Sequence, residues 1–280
     1  MVIDFHTHTF PERIAAAAME KLQDAGHIPA HTDGTRAGLV RSMENAGIKA
    51  GVVLPVATNP QKVQSMNDLS VLMSGQYGLI YFGCMHPLME NAAQEIRRIA
   101  RAGLKGIKIH PVYQGVDIDD PRFLRILEAA GEENMTVVMH AGDDIGFPGV
   151  RHCAPRMIRR ALAQVGPVQL VAAHMGGWRN WEEAAQELAD TQALIDTSFS
   201  LGHITPRAGE NHYTEEELRL LDEEQFVRMV RIFGSERVLF GTDSPWTDQK
   251  DALETFGRLP LSETEKQNIL CNNARRLLKI

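Results

Sequence analysis

Residues 106–140 read GIKIHPVYQGVDIDDPRFLRILEAAGEENMTVVMH, and they contain one complete repeat of the pattern that decides the fold. Two short apolar runs, Gly106–Ile109 and Thr136–Met139, have the length and the Val and Ile content of buried strands. Between them, Arg122–Glu133 repeats its apolar residues at helical spacing, and Asp120 precedes this segment as a helix cap. A strand, a helix and a second strand in this order predict a parallel βαβ unit.

The same alternation extends outward over the whole chain. Eight strands are predicted, at Val2–Phe5, Ala50–Leu54, Leu79–Cys84, Gly106–Ile109, Thr136–Met139, Gln169–Ala173, Ala193–Thr197 and Val238–Phe240. Helix-period segments separate them, including Glu12–Leu22, Arg36–Ala46, Ala92–Arg101, Arg122–Glu133 and Arg156–Val165. Eight such units in 280 residues predict an α/β fold, a (β/α)8 TIM barrel that forms a single domain over residues 1–280. The polar, irregular segment His203–Tyr213 is expected to form a long loop over the barrel mouth.

Composition excludes several classes of protein. The chain has 29 Lys and Arg residues against 36 Asp and Glu residues, a net charge of −7, which argues against a dedicated nucleic-acid binder. No apolar run reaches the ~18–20 residues of a membrane span, and the first residues do not resemble a secretory signal. Three cysteines far apart in the chain are typical of a reducing compartment. We therefore expect a cytoplasmic protein that acts on a small molecule and binds neither nucleic acid nor membrane.

Strand one carries two histidines at its end. In the stretch VIDFHTH, Asp4, His6 and His8 alternate with Ile3 and Phe5. Side chains alternate between the two faces of a strand, so we expect the apolar pair to face the surrounding helices and the polar residues to face the barrel axis. Two imidazoles on one face are typical ligands of a single metal ion.

Four further predicted strands also end in ligand-type or charged residues. These residues are Lys108 and His110 on strand four, His140 after strand five, His174 after strand six and Asp243 after strand eight. Active sites of α/β barrels lie at this carboxyl end of the strands. Imidazole and carboxylate without thiolate suit zinc, iron or manganese in hydrolytic chemistry. A single histidine at a strand end is more often an ordinary hydrogen-bonded residue, but the joint pattern predicts a metal site.

The motifs resemble those of the amidohydrolase superfamily. The stretches Asp4–His8, His140–Gly142, His174–Gly177 and Gly241–Pro245 occur in the family's order, and Asn272–Leu278 is also similar to it. Within the superfamily they are most similar to the amidohydrolase-2 group, which includes aminocarboxymuconate-semialdehyde and γ-resorcylate decarboxylases. This resemblance implies a barrel with one divalent metal ion at His6, His8, His140 and Asp243, and with His174 as a catalytic residue beside it.

The first functional hypothesis is metal-dependent hydrolysis through a metal-activated water. A Zn²⁺-like ion lowers the pKa of its bound water from 15.7 toward ~7. Asp243 would accept the proton and pass it to the leaving group, while His174 would polarise the carbonyl. The substrate would be a small amide, a lactone or an ester-like compound that carries a carboxylate. Lys108, His110, Arg179 and Trp178 are candidate substrate-binding residues.

Three alternatives remain open from the sequence. Non-oxidative decarboxylation would use the same metal ligands, and a non-catalytic barrel with a structural metal would need a closed ligand shell. In binuclear amidohydrolases a lysine on strand four becomes carboxylated and bridges two metals, so Lys108 is a candidate for that modification. A buried lysine that pairs with a carboxylate such as Asp4 or Asp196 is an interpretation of at least equal weight, and we expect one metal. A homodimer is expected only from family likeness.

Overall fold

The structure is a computed structural model that describes residues 1–209 and 212–280. Its strands pair in parallel within two sheets, of three and six strands. The strands are β1 (Ile3–Thr7), β2 (Ala50–Val53), β3 (Leu79–Tyr81), β4 (Gly83–Cys84), β5 (Gly106–Ile109), β6 (Thr136–Met139), β7 (Gln169–Ala172), β8 (Leu194–Asp196) and β9 (Val238–Leu239). The eight predicted strands are thus confirmed, with shifts of a residue or two at some ends.

Backbone hydrogen bonds join the two sheets into one barrel. The Phe82 amide, between β3 and β4, donates to the carbonyl of Val53 at 3.0 Å, so β3 and β4 act as one barrel strand that is interrupted at Phe82. On the other side, the Phe5 amide donates to the carbonyl of Phe240 at 2.7 Å and joins β1 to the strand that contains β9. The strands therefore close into a (β/α)8 barrel, as the sequence predicted.

Helices separate the strands along the chain. Their bounds are α1 (Glu12–Gly26), α2 (Arg36–Ala46), α3 (Val63–Met73), α4 (Ala92–Arg101), α5 (Pro111–Gln114), α6 (Pro121–Glu132), α7 (Pro155–Leu162), α8 (Trp181–Leu188), α9 (Glu215–Leu218), α10 (Glu223–Phe233), α11 (Gln249–Arg258), α12 (Glu263–Gln267) and α13 (Asn273–Leu278). The Asp120 side chain accepts a hydrogen bond from the Arg122 amide, so it caps α6 as predicted. None of the helices in the described chain is both long enough and apolar enough to cross a membrane.

The barrel interior is filled by one apolar cluster. It combines side chains from strands all around the barrel with residues of the C-terminal helical segment, including Ala274 and Leu277 of α13. The cluster includes Ile3, Phe5, Val52, Phe82, Val138, Val171, Leu194 and Leu239. Alternate residues of the same strands, such as Ile107, Met139 and Ile195, pack instead against the helices.

A bulge in β1 overturns part of the predicted alternation. Asp4 pairs with Gly51 and Thr7 with Val53, so three residue steps on β1 match two on β2. Such an extra residue resets which side chains share a face. The prediction that Ile3 and Phe5 face the helices was wrong, because both lie in the interior cluster. Asp4 lies on the opposite side, where Thr242 Oγ1 and Gln249 Nε2 of α11 donate to its carboxylate at 2.6 and 2.7 Å.

The predicted loop His203–Tyr213 packs at the mouth. Its residue Ile204 contacts Ile28, Trp178 and Leu218 in a separate apolar cluster, and Trp178 follows the carboxyl end of β7. The Tyr213 hydroxyl donates to the carbonyl of Gly26 at 2.7 Å. Two residues of the predicted loop, Glu210 and Asn211, lie outside the described residues.

The buried Asp4 carboxylate provides a stability test. Asp4→Ala would leave the buried donors of Thr242 and Gln249 without an acceptor, and each unsatisfied buried donor costs about 1–3 kcal/mol. We therefore expect the free energy of unfolding in urea to fall by about 3 kcal/mol or more. Asp190→Ala, which removes an exposed ion pair with Arg159, is the control and should have a much smaller effect. Equal effects of the two changes would contradict the role of Asp4.

Candidate metal and catalytic site

Three ligand atoms converge at the carboxyl ends of β1 and β9. Asp243 Oδ1 lies 3.3 Å from His6 Nε2 and 3.1 Å from His8 Nε2. The Asp243 amide donates to the carbonyl of His6 at 2.8 Å, so the backbone itself brings the two chain segments together. The sequence placed these three residues in one ligand set, and the structure brings their ligand atoms within 4.8 Å of one another.

Hydrogen bonds determine which ring nitrogens of these histidines carry the proton. His8 Nδ1 lies 2.7 Å from the carbonyl oxygen of Leu54, which can only accept, so this nitrogen carries the proton of the neutral ring. His6 Nδ1 lies 2.8 Å from Asp196 Oδ2 and carries its proton for the same reason. Both Nε2 atoms therefore direct a lone pair toward Asp243 Oδ1. Three electron-pair donors face one another, an arrangement that a cation stabilises, and the Lys108 ammonium lies 3.1 Å from one of them, His6 Nε2.

This geometry fits a divalent metal ion. Two ligands of a tetrahedral ion, each ~2.0–2.2 Å from it, are about 3.3–3.6 Å apart. The separations of 3.1 and 3.3 Å to Asp243 Oδ1 are close to that value. His6 is fully buried, and His8 and Asp243 are mostly buried, so water cannot easily satisfy the convergent lone pairs. His6, His8 and Asp243 would hold the ion.

Lys108 places its ammonium group beside this cluster. Its Nζ lies 3.1 Å from His6 Nε2, and the side chain is buried at 1% exposure. Burial lowers the pKa of Lys108 to about 8, although Asp196 and Asp243 act in the opposite direction. Burial, followed by the charge of Lys108, lowers the pKa of His6 to about 4. The inward position predicted for Lys108 is therefore observed.

His140 belongs to a second group of ligand-type side chains. Its Nε2 lies 3.7 Å from Asp144 Oδ2, and His110 Nε2 lies 3.6 Å from the same oxygen. These three residues form a candidate metal group separate from that of His6, His8 and Asp243. The structure thus does not bring His140 together with the other three predicted ligands. His110 stacks on His140 with ring centroids 4.1 Å apart.

His174 lies between the two groups. Its Nε2 is 3.1 Å from His140 Nδ1, and its ring centroid is 5.2 Å from that of His6. Its Nδ1 faces the carbonyl oxygen of Ser198 at 3.0 Å and therefore carries the proton, which leaves a lone pair at Nε2. Burial lowers the pKa of His174, which favours this neutral ring.

Unusual backbone conformations occur at the catalytic candidates. His174 and Asp243 adopt φ angles of 59° and 63°, in the left-handed region that non-glycine residues seldom occupy. The surroundings hold His174 in place, since its amide donates to Asp196 Oδ1 at 3.0 Å. Residues held in this region are concentrated at functional sites, where the protein positions a side chain at some cost in stability.

The two substrate-binding candidates on the loop after β7 have different surroundings. The Trp178 side chain is 7% exposed, and its indole Nε1 has no hydrogen-bond partner among the described residues. The Arg179 guanidinium donates to the carbonyls of Glu217 and Arg219 at the end of α9 and lies over the ring of Trp178. These bonds direct Arg179 toward the loop that follows β8. No contact of Arg179 with the ligand groups described above is observed.

Sequence reasoning missed two residues of this site. Asp144 follows His140 by four positions in an irregular loop, and the only available signal was its proximity to a strand-end histidine. Burial raises the pKa of Asp144 to about 7. Ser198 was overlooked because it follows Asp196 beyond the end of β8, although its hydroxyl contacts both His6 Nδ1 and His174 Nδ1 at 3.0 and 2.9 Å.

Solved structures of similar fold include enzymes of two reaction types. A 5-carboxyvanillate decarboxylase from Novosphingobium aromaticivorans, complexed with manganese, is 16% identical, with a TM-score of 0.73 and coverage of 100% of this chain and 96% of that one. A 2,6-dihydroxybenzoate decarboxylase is 15% identical, with a TM-score of 0.68 and coverage of 100% and 99%. A candidate 2-pyrone-4,6-dicarboxylic acid hydrolase from Pseudomonas putida is 17% identical, with a TM-score of 0.64 and coverage of 99% and 97%. At these identities the likeness is one of fold.

A search of curated proteins finds no significant match. The family model described as Amidohydrolase, in contrast, matches residues 3–280. This range includes every ligand and catalytic candidate described above. The resemblance noted in the sequence motifs is thereby confirmed, and the chain belongs to the amidohydrolase family.

Proposed function

We propose that the protein is a metal-dependent hydrolase of a small, carboxylate-bearing amide, lactone or ester-like substrate. The observation that carries this proposal is the convergence of three ligand atoms, His6 Nε2, His8 Nε2 and Asp243 Oδ1, with the ring of His174 5.2 Å from that of His6. A divalent ion bound there supplies Lewis acidity and promotes ionisation of water. Zinc is our first choice of ion, since imidazole and carboxylate are ligands it prefers.

The protein groups around the cluster keep the Asp243 carboxyl ionised, so it has a lone pair for a metal ion or a proton. The imidazoles of His6, His8 and His174 hold the pKa of the Asp243 carboxyl below its usual range, although burial alone would raise it. Asp243 would accept a proton from the attacking water and return it to the leaving group. Neutral His174 offers Nε2 as an acceptor, so it can stabilise an oxyanion only after it takes up a proton. We assign the ammonium of Lys108 to the binding of the substrate's carboxylate.

Non-oxidative decarboxylation is the second candidate. Two of the proteins of similar fold are named as decarboxylases of aromatic carboxylates, and one of those structures contains manganese. On the same side chains, this reaction requires delivery of a proton to carbon, which neither Asp243 nor His174 can do without first taking up a proton. Hydrolysis does not require Asp243 or His174 to be protonated before the reaction begins.

One assay separates the two reactions. The protein is loaded with Zn²⁺ or Mn²⁺ and incubated with a panel of lactones, amides and hydroxybenzoates. Hydrolysis releases acid without loss of carbon, whereas decarboxylation releases CO₂. We expect acid release from a lactone or amide. Release of CO₂ alone would replace the first candidate by the second, and no turnover of any panel member by the metal-loaded protein would count against both.

Lys108→Gln tests substrate binding. If the ammonium of Lys108 pairs with an anionic substrate, its loss should raise KM at least about tenfold, since a hydrogen bond to a charged group contributes about 1.5–3 kcal/mol. Lys105→Gln removes an exposed lysine three residues earlier and serves as the control. Steady-state kinetics at equal metal content would measure both variants. An unchanged KM in Lys108→Gln would remove Lys108 from the substrate site.

A further inference from the structure

We propose that Asp196 is a positioning residue that fixes the protonation pattern of His6 and so makes His6 Nε2 available to a metal. The inference rests on the proposed function, because it concerns the same ligand set. Asp196 ends β8, is fully buried and lies 2.8 Å from His6 Nδ1 through Oδ2. An anionic carboxylate can only accept, so it holds the proton of His6 on the nitrogen that faces away from Asp243.

The other oxygen of Asp196 is saturated with donors. Oδ1 accepts from the amide of His174 at 3.0 Å, from the amide of Ser198 at 3.1 Å and from the Ser198 hydroxyl. Two of these three donors are backbone groups that no substitution of a neighbouring side chain removes. The orientation of the Asp196 carboxylate is therefore set by the fold, and only Oδ2 is free to face His6.

Ser198 connects the Asp196 carboxylate to His174, the candidate catalytic residue. Its hydroxyl lies 3.0 Å from His6 Nδ1 and 2.9 Å from His174 Nδ1, and it donates to Asp196 Oδ1. Because the hydroxyl proton is directed to Asp196, the oxygen accepts from His174 Nδ1. One buried carboxylate thus organises a predicted metal ligand directly and His174 through Ser198 and the His174 amide.

His8 provides an internal comparison. Its Nδ1 donates to the carbonyl oxygen of Leu54, a backbone group, and its Nε2 faces Asp243 Oδ1 at 3.1 Å, so Asp196 takes no part in these contacts. The protonation pattern of His6, in contrast, depends on side chains: Asp196 faces Nδ1, and Lys108 Nζ lies 3.1 Å from Nε2. A single substitution at Asp196 should therefore change one ligand of the cluster and leave the other as a reference within the same molecule.

The substitution Asp196→Asn should change which ring nitrogen of His6 carries the proton. An asparagine must place its carbonyl oxygen toward the three donors that now face Oδ1, so its NH₂ group faces His6 Nδ1. A donor in that position opposes a proton on Nδ1 and shifts the neutral His6 ring toward the form protonated on Nε2, which cannot bind a metal; Lys108 Nζ, 3.1 Å from Nε2, acts in the opposite direction in wild type and variant alike. The substitution preserves size and shape and reverses only the direction of one hydrogen bond.

Two measurements test the inference. In the metal-free protein labelled with ¹⁵N-histidine, NMR should show His6 protonated on Nδ1 in the wild type and on Nε2 in Asp196→Asn, with His8 unchanged. In calorimetric titrations with Zn²⁺ alone, Asp196→Asn should bind about 10–100-fold more weakly than wild type. Ser198→Ala is the matched control, because it keeps the carboxylate. It should retain the wild-type His6 spectrum and bind Zn²⁺ more tightly than Asp196→Asn.

An unchanged His6 spectrum in a folded Asp196→Asn protein, or equal Zn²⁺ affinity, would overturn the inference. Thermal unfolding monitors whether the variant folds. If it does not fold, the wild-type spectrum decides, since a proton on His6 Nε2 in the metal-free protein also refutes the role of Asp196. Failure of the wild type to bind Zn²⁺ or Mn²⁺ would instead reject the proposed function, and the NMR result would still decide the inference.

Discussion

Asp243→Asn should lower kcat by about 10³-fold while the protein keeps much of its metal, because general acid–base groups contribute typically 10²–10⁴-fold. The amide preserves the shape of the side chain and an oxygen that can face His6 and His8, which lie 3.3 and 3.1 Å from the present carboxylate. It cannot accept a proton from water. Steady-state kinetics combined with metal analysis of the purified variant would measure the two effects separately.

A control for this substitution lies five residues further along the chain. Asp248 accepts from the amides of Lys250 and Asp251 at 2.9 and 3.0 Å and caps α11. Asparagine caps helices about as well as aspartate, so Asp248→Asn should leave kcat close to wild type. If Asp243→Asn also retained full activity, Asp243 could not be the proton acceptor of the reaction.

Removal of the metal is expected to have the second large effect. Dialysis against a chelator should reduce turnover to the rate measured without enzyme, and added Zn²⁺ or Mn²⁺ should restore it. The ion should also stabilise the fold, by about 4 kcal/mol at a thousandfold excess over its Kd. In the metal-free protein only Lys108 Nζ, 3.1 Å from His6 Nε2, is described as a cation beside the lone pairs of His6, His8 and Asp243, and the ion would bind all three. Activity assays and thermal unfolding with and without the ion would measure both effects.

His8→Ala is the variant that should lose this response to metal. His152→Ala is its control, because His152 is partly exposed and pairs with Asp117 at 2.7 Å, on a loop outside the ligand set. We expect His152→Ala to respond to the ion as wild type does. Full turnover by a preparation shown to contain no metal would contradict the proposed chemistry.

The strand-end pattern located the site because a parallel barrel brings all carboxyl ends of its strands to one face. Asp243 is 235 residues from His8 in the sequence, yet it meets His6 and His8 because β1 and β9 are neighbours. Local patterning could not detect the bulge in β1, since a register shift depends on the partner strand. His6 faces inward as predicted. The strict alternation from which this was predicted does not hold along β1, because Phe5 faces inward and Asp4 does not.

Contacts between loops could also not be predicted from the sequence. Arg179 was a candidate for binding a substrate carboxylate, whereas its guanidinium donates to two backbone carbonyls at the end of α9. A basic residue after a barrel strand predicts only that it lies on the catalytic side. Which acceptor it meets depends on how a segment about 40 residues away folds over the mouth.

The sequence by itself determined the barrel, its strands and the set of chemical groups at their carboxyl ends, because hydrophobic periodicity and residue type are local properties of the chain. Only the tertiary structure decided how these groups are arranged. It grouped His140 with His110 and Asp144, placed the Lys108 ammonium against His6, and set Asp196 and Ser198 behind His6 and His174. Hydrogen-bond direction and ring protonation depend on partners that are distant in sequence, so they exist only after the chain has folded.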